Sequence, residues 1–492
     1  MRSVREVEVD AIPLDRLAGL LSPVRAERLA GYAQRARVLL AGRTIWNVNA
    51  TSRGGGVAEM LQALLAYSRG AGVTTRWLVL SGDPEFFTIT KRLHNVLHGM
   101  AGDGGPLGID EQKHYIEVLE RNAAVLGPMV SPGDIILLHD PQTAGLARML
   151  ADRGAHVVWR CHIGRDTQTP LTDAGWAFLR PHIEEVGAFI FSRRVYAPDW
   201  VPAERLWVIP PSLDPFSAKN TELSPADVDA ALREAALVDT GKNRGSLEFT
   251  RRDGSTGRVR GHRRMLLDGG PVKRGARLVL QVSRWDRLKD MAGVLTAFAT
   301  HLDQLPPDVH LMLVGPDVAG VSDDPEGAEV LRECHGLWEA LPPATRARAH
   351  LACLPMDDID ENAHLVNCLQ RRAAVVVQKS LVEGFGLTVT EPMWKARPVV
   401  ASAVGGIQDQ IVHGESGLLI DDPQDLATFA GHLQEVLTDE EYARMLGTGA
   451  RSRVMDRYLG DRHLTQYVDL FESLEARSGQ PEADFPSTQG TP

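Results

Sequence analysis

Two glutamates eight positions apart, Glu383 and Glu391, bracket the stretch Gly384-Phe385-Gly386-Leu387-Thr388-Val389-Thr390. Ionised carboxylates only accept hydrogen bonds, and each can take two from neighbouring hydroxyls, which is what a sugar or ribose ring offers. The glycines let an anion approach the backbone, and a helix starting there would aim unpaired amides and a positive dipole end at a phosphate. A second pair of charges, Arg284 and Lys289, follows the apolar run Arg277-Leu278-Val279-Leu280-Gln281-Val282-Ser283. Taken alone, an arginine and a lysine near a helix start are usually just solvated. Beside a diphosphate, a planar guanidinium fork and a compact ammonium would bind it and stabilise the charge it gains on leaving.

Both pairs need elements to hold them. Ala373 to Gln378 has strand character, and Pro392-Met393-Trp394-Lys395-Ala396 is a short helical stretch that must stop before Pro398. Glu383 is expected to open the loop and Glu391 to start the helix. The two acids would then surround different parts of a ligand. A retaining hydrolase instead needs its carboxyls ~5 Å apart about one carbon. Arg284 and Lys289 fall in a strand-to-helix loop, with a helix from about Met291. A third such unit opens the chain: strand Arg43 to Ala50, then Gly54-Gly55-Gly56, then Val57, Met60, Leu61, Leu64 and Leu65 at helical spacing. The glycines fit a plain turn as well as a ligand loop, and they are not the G-x-G-x-x-G of a dinucleotide oxidoreductase.

Further strands are expected at Thr75 to Leu80, Asp134 to Leu138, His156 to Arg160 and Ala188 to Ser192. A second series follows at His310 to Val314, Ala349 to Leu354 and Pro398 to Ala401. Strands alternating with helices imply an α/β protein with parallel sheets and ligands at the strands' carboxyl ends. Prolines between Trp207 and Pro215 mark a linker. Two domains, 1–210 and 211–450, are expected, then helices over 451–477 and a polar, disordered tail over 478–492. The segment 241–264 carries Lys242, Arg244, Arg251, Arg252, Arg258, Arg260, Arg263 and Arg264 against only Glu248 and Asp253. It reads as an inserted basic hairpin, solvated by default or serving as a lid or subunit contact.

A chain of 492 residues exceeds the ~250–300 at which a single core stops growing, which fits two domains. The formal charge of −11 disfavours nonspecific binding to nucleic acid or anionic lipid. No run approaches the ~18 apolar residues of a membrane span. The N-terminus lacks the apolar core of a secretory signal, and the four scattered cysteines suit a reducing compartment, so a cytoplasmic protein is expected.

Between Val366 and Leu419, the groups Asn367-Cys368-Leu369-Gln370-Arg371, Gln378-Lys379-Ser380, Glu383 to Glu391, Met393-Trp394-Lys395 and Val404-Gly405-Gly406-Ile407 closely resemble retaining glycosyltransferases of family 4. Among these the segment is most similar to the trehalose-forming synthases. The resemblance implies a GT-B fold, with two Rossmann-like doubly wound domains facing across a cleft and the helices over 451–477 crossing back. It implies transfer of glucose from a nucleoside-diphosphate glucose to glucose, with no metal and no covalent nucleophile. Glu383 would hold donor-sugar hydroxyls and Glu391 the ribose. Gly384, Phe385, Gly386, Leu387 and Thr388 would contact sugar and phosphates, with Gly55 and Gly56 facing the phosphates. Arg284 and Lys289 would clamp the diphosphate, and base selection would lie near Gly315-Pro316 and Leu354-Pro355.

His162 matches a histidine that the family places near the donor sugar, while Lys91, His94, Asn95, Asp140 and Gln142 would lie near the acceptor glucose. The family commonly has Asp two residues after that histidine, whereas this chain has Gly164, with Asp166 beyond. A homodimer is expected. Two other readings are a trehalose phosphorylase of the same fold and a catalytically silent nucleotide-sugar-binding regulator.

Overall fold

Short runs rich in Val, Ile and Leu are what a parallel sheet covered on both faces requires. In the computed structural model, the described residues are 4–52, 55–239, 245–261, 266–318 and 325–478. Gly54, Lys242, Arg244, Arg263, Arg264 and the tail beyond 478 lie outside them. The chain forms two units: residues 1–163, 167–210 and 460–492 make the first, and 164–166 with 211–459 the second.

The first unit holds β1 (Arg5–Val7), β2 (Ile45–Asn49), β3 (Thr75–Val79), β4 (Ile135–His139), β5 (His156–Cys161), β6 (Ala188–Phe191) and β7 (Leu206–Val208). They form one sheet in the order β1-β3-β2-β4-β5-β6-β7, parallel throughout except for β1 against β3. Every residue of β2, β4 and β6 is buried. The order reverses between β2 and β4, where such sheets bind ligands beyond the strands' carboxyl ends. Strand β7 occupies the start of the segment expected as linker, and the chain changes unit after Pro210.

The second unit holds β8 (Glu248–Thr250), β9 (Thr256–Arg258), β10 (Leu266–Asp268), β11 (Arg277–Val282), β12 (Val309–Pro316), β13 (Ala349–Leu354), β14 (Val375–Gln378), β15 (Val399–Ser402) and β16 (Leu418–Ile420). Apart from the hairpin β8-β9, they form a sheet in the order β10-β13-β12-β11-β14-β15-β16. Only β10 runs antiparallel, against β13. Its order reverses between β11 and β14.

Two expectations need correction. The boundary at 451 falls inside helix Glu440–Arg457, which stays with the second unit, and the return comes with helix Gly460–Ser478. Arg25 grips Asp461 with two hydrogen bonds of 3.0 and 2.8 Å, and that helix packs on Pro23–Leu39. The basic hairpin is not merely solvated. Arg251, Arg252 and Arg260 bond Asp358, Asp360 and Glu361 at 2.6, 2.8 and 2.7 Å, and Phe249 stacks on His364. The hairpin binds the acidic first turn of helix Ile359–Arg372, a pairing invisible within 241–264 because its acids lie about a hundred residues on.

Candidate functional site

At the order reversal of the second unit, β11 gives way to a loop in which Asp286 turns the chain by accepting from Leu288 N–H at 2.8 Å. Gln281, buried on β11, donates to the Lys289 carbonyl at 2.8 Å and fixes where the lysine departs. Lys289 Nζ then reaches Glu383 Oε2 at 2.6 Å, joining the loops after β11 and β14. Ser380 donates to the same oxygen at 3.4 Å and itself accepts from buried Gln378 at 2.9 Å. Arg284 bonds Asp286 at 3.1 Å and is half-exposed. Behind the loop, the buried Lys379 ammonium pairs with Asp290 and donates to the Pro423 carbonyl at 2.7 Å.

Helix Leu387–Trp394 starts one turn earlier than expected, on Gly386 at φ +87°. A β-carbon there would press within 3.2 Å of both Glu383 and Ile407, so glycine is required for space as well as conformation. Among the described residues, the buried Thr388 Oγ1 in the first turn has no hydrogen-bond partner. Phe385 is buried against Tyr458, and its carbonyl accepts from Gln410 at 2.6 Å. Gly384 O accepts from Gly406 N–H at 3.3 Å.

Glu391 does not start the helix; it lies one turn in and is buried. Its Oε2 accepts from Gln370 at 3.1 Å, and its Oε1 lies 3.4 Å from Lys219 Nζ. Lys395 Nζ holds Gln370 Oε1 at 2.7 Å, Asn220 Oδ1 at 3.0 Å and the Glu391 carbonyl at 3.2 Å. The paired glutamates therefore have separate supports: Lys289 and Ser380 for one, Gln370 and Lys219 for the other. Asp166, in the short stretch 164–166 of the same unit, accepts from Gly405 N–H at 2.8 Å and Gln408 at 3.0 Å.

In the first unit, Gly55 and Gly56 open helix Gly55–Gly70, whose Met60, Leu61, Leu64 and Leu65 are buried as the periodicity predicts. At the other side of the order reversal, Asp140 follows β4 with φ +63° and ψ 176°, a strained conformation for a residue with a side chain. It is held by its N–H donating to Arg160 O at 2.8 Å and its carboxylate accepting the His162 N–H at 2.7 Å. Asp140 and His162 are thus brought together, and Gln142 sits in the following turn, Pro141–Leu146. Helix Pro84–Leu97, which packs on that turn, carries Lys91, His94 and Asn95. Lys91 is exposed, His94 half-buried and Asn95 buried beside Gly102. Asn47, Arg160, Asp290 and Lys379 were not singled out from the sequence as supporting groups, although Lys379 lies inside the Gln378-Lys379-Ser380 motif.

Burial dominates the titration of this region. It pushes Asp140 up to about 7 and His139 down to about 3, with Arg160 adding to the histidine shift. Burial and Arg160 also hold His162 and His463 well below their usual range. Folding keeps these three histidines neutral, so their contribution to stability is present above the ordinary value of about 6.5 and is lost as pH falls toward their folded values. Asp140 opposes this, since its raised value favours the folded state most at low pH. Three histidines outweigh one carboxyl over pH 6.5 to 5, and the thermal midpoint is expected to fall steadily across that interval. A midpoint that is flat from pH 7 to 5 would contradict this balance.

Among known proteins, residues 47–198 match the family model "Trehalose synthase, N-terminal domain", and 269–453 match "Glycosyl transferases group 1". The chain is 34% identical to trehalose synthase of Rubrobacter xylanophilus, over 93% of this chain and 97% of the relative. It is 27% identical to trehalose phosphorylase of Pleurotus pulmonarius, over 83% of this chain and 54% of that longer protein. Its fold matches sucrose-phosphate synthase of Thermosynechococcus elongatus with a TM-score of 0.60 at 20% identity, covering 88% of this chain and all of the other. Two order-reversing α/β sheets, the Lys289 and Glu383 contact at one reversal, and a near full-length relative above 30% identity converge. The chain belongs to the trehalose synthase family of GT-B glycosyltransferases.

Proposed function

We propose that this glycosyltransferase moves glucose, with retention of configuration, from a nucleoside-diphosphate glucose to glucose, forming α,α-trehalose. The observation that carries the reading is the contact between Lys289 and Glu383 at the β11 and β14 reversal. A lysine ammonium suited to a diphosphate beside a carboxylate suited to sugar hydroxyls, ahead of a helix whose Thr388 hydroxyl has no partner among the described residues, supports this reading. In the proposed reaction Lys289 and Arg284 stabilise the diphosphate as the glycosidic bond breaks. Glu383 orients the glucosyl ring, and the leaving phosphate takes the proton of the incoming hydroxyl on the same face. Glu391 holds the ribose, and Asp140, His162 and Gln142 meet glucose units. These side-chain cations supply the charge stabilisation, so the proposal includes no metal.

The test is incubation with ADP-, UDP- or GDP-glucose plus glucose, with product identification. Release of nucleoside diphosphate together with a nonreducing disaccharide is expected from at least one donor, and absence of both with all three would sink the reading. The similarity to a trehalose phosphorylase favours one other reading, in which inorganic phosphate replaces the nucleotide. Phosphate-dependent release of glucose 1-phosphate from trehalose would select it.

A further inference from the structure

Behind His162 runs a line of buried polar groups for which a sugar-binding role alone has no need. Thr75 Oγ1 lies 3.2 Å from the Ile45 carbonyl and donates to it. Its lone pairs therefore face Asn47 Nδ2, 3.4 Å away. That turns the Asn47 amide so that Oδ1 lies against His139 Nε2 at 3.2 Å. A carbonyl oxygen only accepts, so His139 carries its hydrogen on Nε2. His139 is fully buried and neutral, pushed down to about 3 by burial and by Arg160, which leaves a bare lone pair on Nδ1. That lone pair meets His162 Nε2 at 3.1 Å. With ring planes 15° apart and centroids 5.4 Å apart, the two imidazoles meet edge to edge. Two bare nitrogens cannot bond, so His162 supplies the hydrogen from Nε2.

We infer that Thr75, Asn47 and His139 form a polarised relay that fixes His162 in its Nε2–H tautomer and leaves the Nδ1 lone pair of this half-buried ring for a sugar hydroxyl. His162 is then a hydrogen-bond acceptor toward substrate, and Asn47 and His139 are positioning residues. The inference rests on the reading above that His162 meets a glucose unit. The other groups facing the relay are compatible with neutral rings. The Arg160 guanidinium, on β5, donates to His463 Nε2 at 3.0 Å, to the Ile209 carbonyl at 3.0 Å and to the Tyr467 hydroxyl. Asp140, after β4, spends Oδ1 on the His162 amide, and His463 comes from helix Gly460–Ser478. A proton added to the pair would face the Arg160 cation and would turn the His162 acceptor into a donor.

The relay's polarity is read directly from full-length protein labelled with 15N-histidine, by long-range 1H–15N correlation at pH 7.5, with His162 assigned from its loss in His162→Gln. A protonated Nε2 and a bare Nδ1 are expected at His162. The opposite tautomer, which a reversed Asn47 amide would impose, overturns the inference. Asn47→Leu is expected to mix the tautomers and raise the KM for glucose or for the nucleotide sugar about 10-fold, the scale of one lost hydrogen bond. Neither KM moving while the tautomers mix would also overturn it. Asn47→Asp keeps an acceptor behind His139 but stabilises the protonated ring, so the acid limb of kcat/KM is expected to move to higher pH. A variant that only weakens the fold would lower the thermal midpoint without these changes. The wild-type spectrum decides the polarity even where a variant does not fold. Trehalose formation with the wrong tautomer overturns the relay alone. The expected tautomer without trehalose from any donor overturns the functional reading and leaves the polarity standing.

Discussion

Replacing Lys289 with alanine is expected to slow glycosyl transfer by about 100-fold or more, the usual loss when one preorganised charge-stabilising group is removed. Its ammonium lies 2.6 Å from Glu383 Oε2, and both side chains are largely buried, at 15% and 10% exposure. Little solvent can take the lysine's place. Glu383→Ala is expected to cost a comparable factor for a different reason, since it removes the proposed acceptor for sugar hydroxyls and leaves the ammonium without its closest counter-ion. The two residues touch, so the double variant should lose far less than the product of the single losses. Steady-state kinetics with the best donor, alongside circular dichroism, check this. A Lys289→Ala enzyme within threefold of wild type would remove the lysine from the chemistry.

The largest stability effect is expected at Lys379, which is fully buried and holds Asp290 and the Pro423 carbonyl. Asp290 sits in the left-handed region at φ +48° and caps helix Met291–Thr300 by accepting Gly293 N–H at 3.1 Å. Lys379→Met keeps much of the apolar stem but strands a partly buried carboxylate and an acceptor. Breaking such a pair from one side costs about 3–5 kcal/mol. For a unit of this size that corresponds to a thermal midpoint lower by roughly 6–20 °C. Adding Asp290→Asn removes the stranded charge, so the double variant should recover part of the loss. A single variant melting within about 2 °C of wild type would show that the pair is dispensable. Asp290 adjoins Lys289, so a weaker donor-side site is expected in whatever Lys379→Met protein remains folded.

Much of the local structure was legible. Apolar runs such as Val375-Val376-Val377 and Arg277 to Val282 became strands within a residue of expectation, because a run that must be buried on both faces has few alternatives. Gly386 was legible as a loop residue, and it sits at the N-cap of the helix because glycine adopts that left-handed conformation in so little space. Glu391 was misjudged by one turn: Pro392 was read as a helix opening, whereas the helix had already begun at Leu387 and tolerates the proline inside it. The basic hairpin was misjudged because charge was counted within the segment, and its neutralising acids belong to a distant helix.

The sequence by itself determined which residues could do chemistry, which loops carried them, and that two α/β series follow each other. Residue type and short-range periodicity carry that information, since backbone preference and burial pattern act over a few residues. Only the tertiary structure decided partnership. Lys289 and Glu383 are 94 positions apart and meet because the sheet order reverses between β11 and β14. Asn47, Thr75, His139 and His162 meet because β3, β2, β4 and β5 are laid side by side in register. Strand order and register follow from how whole faces of helices and sheets are buried together. The inferred tautomer of His162 and the salt partner of Lys289 are therefore set by packing that no local stretch of the chain contains.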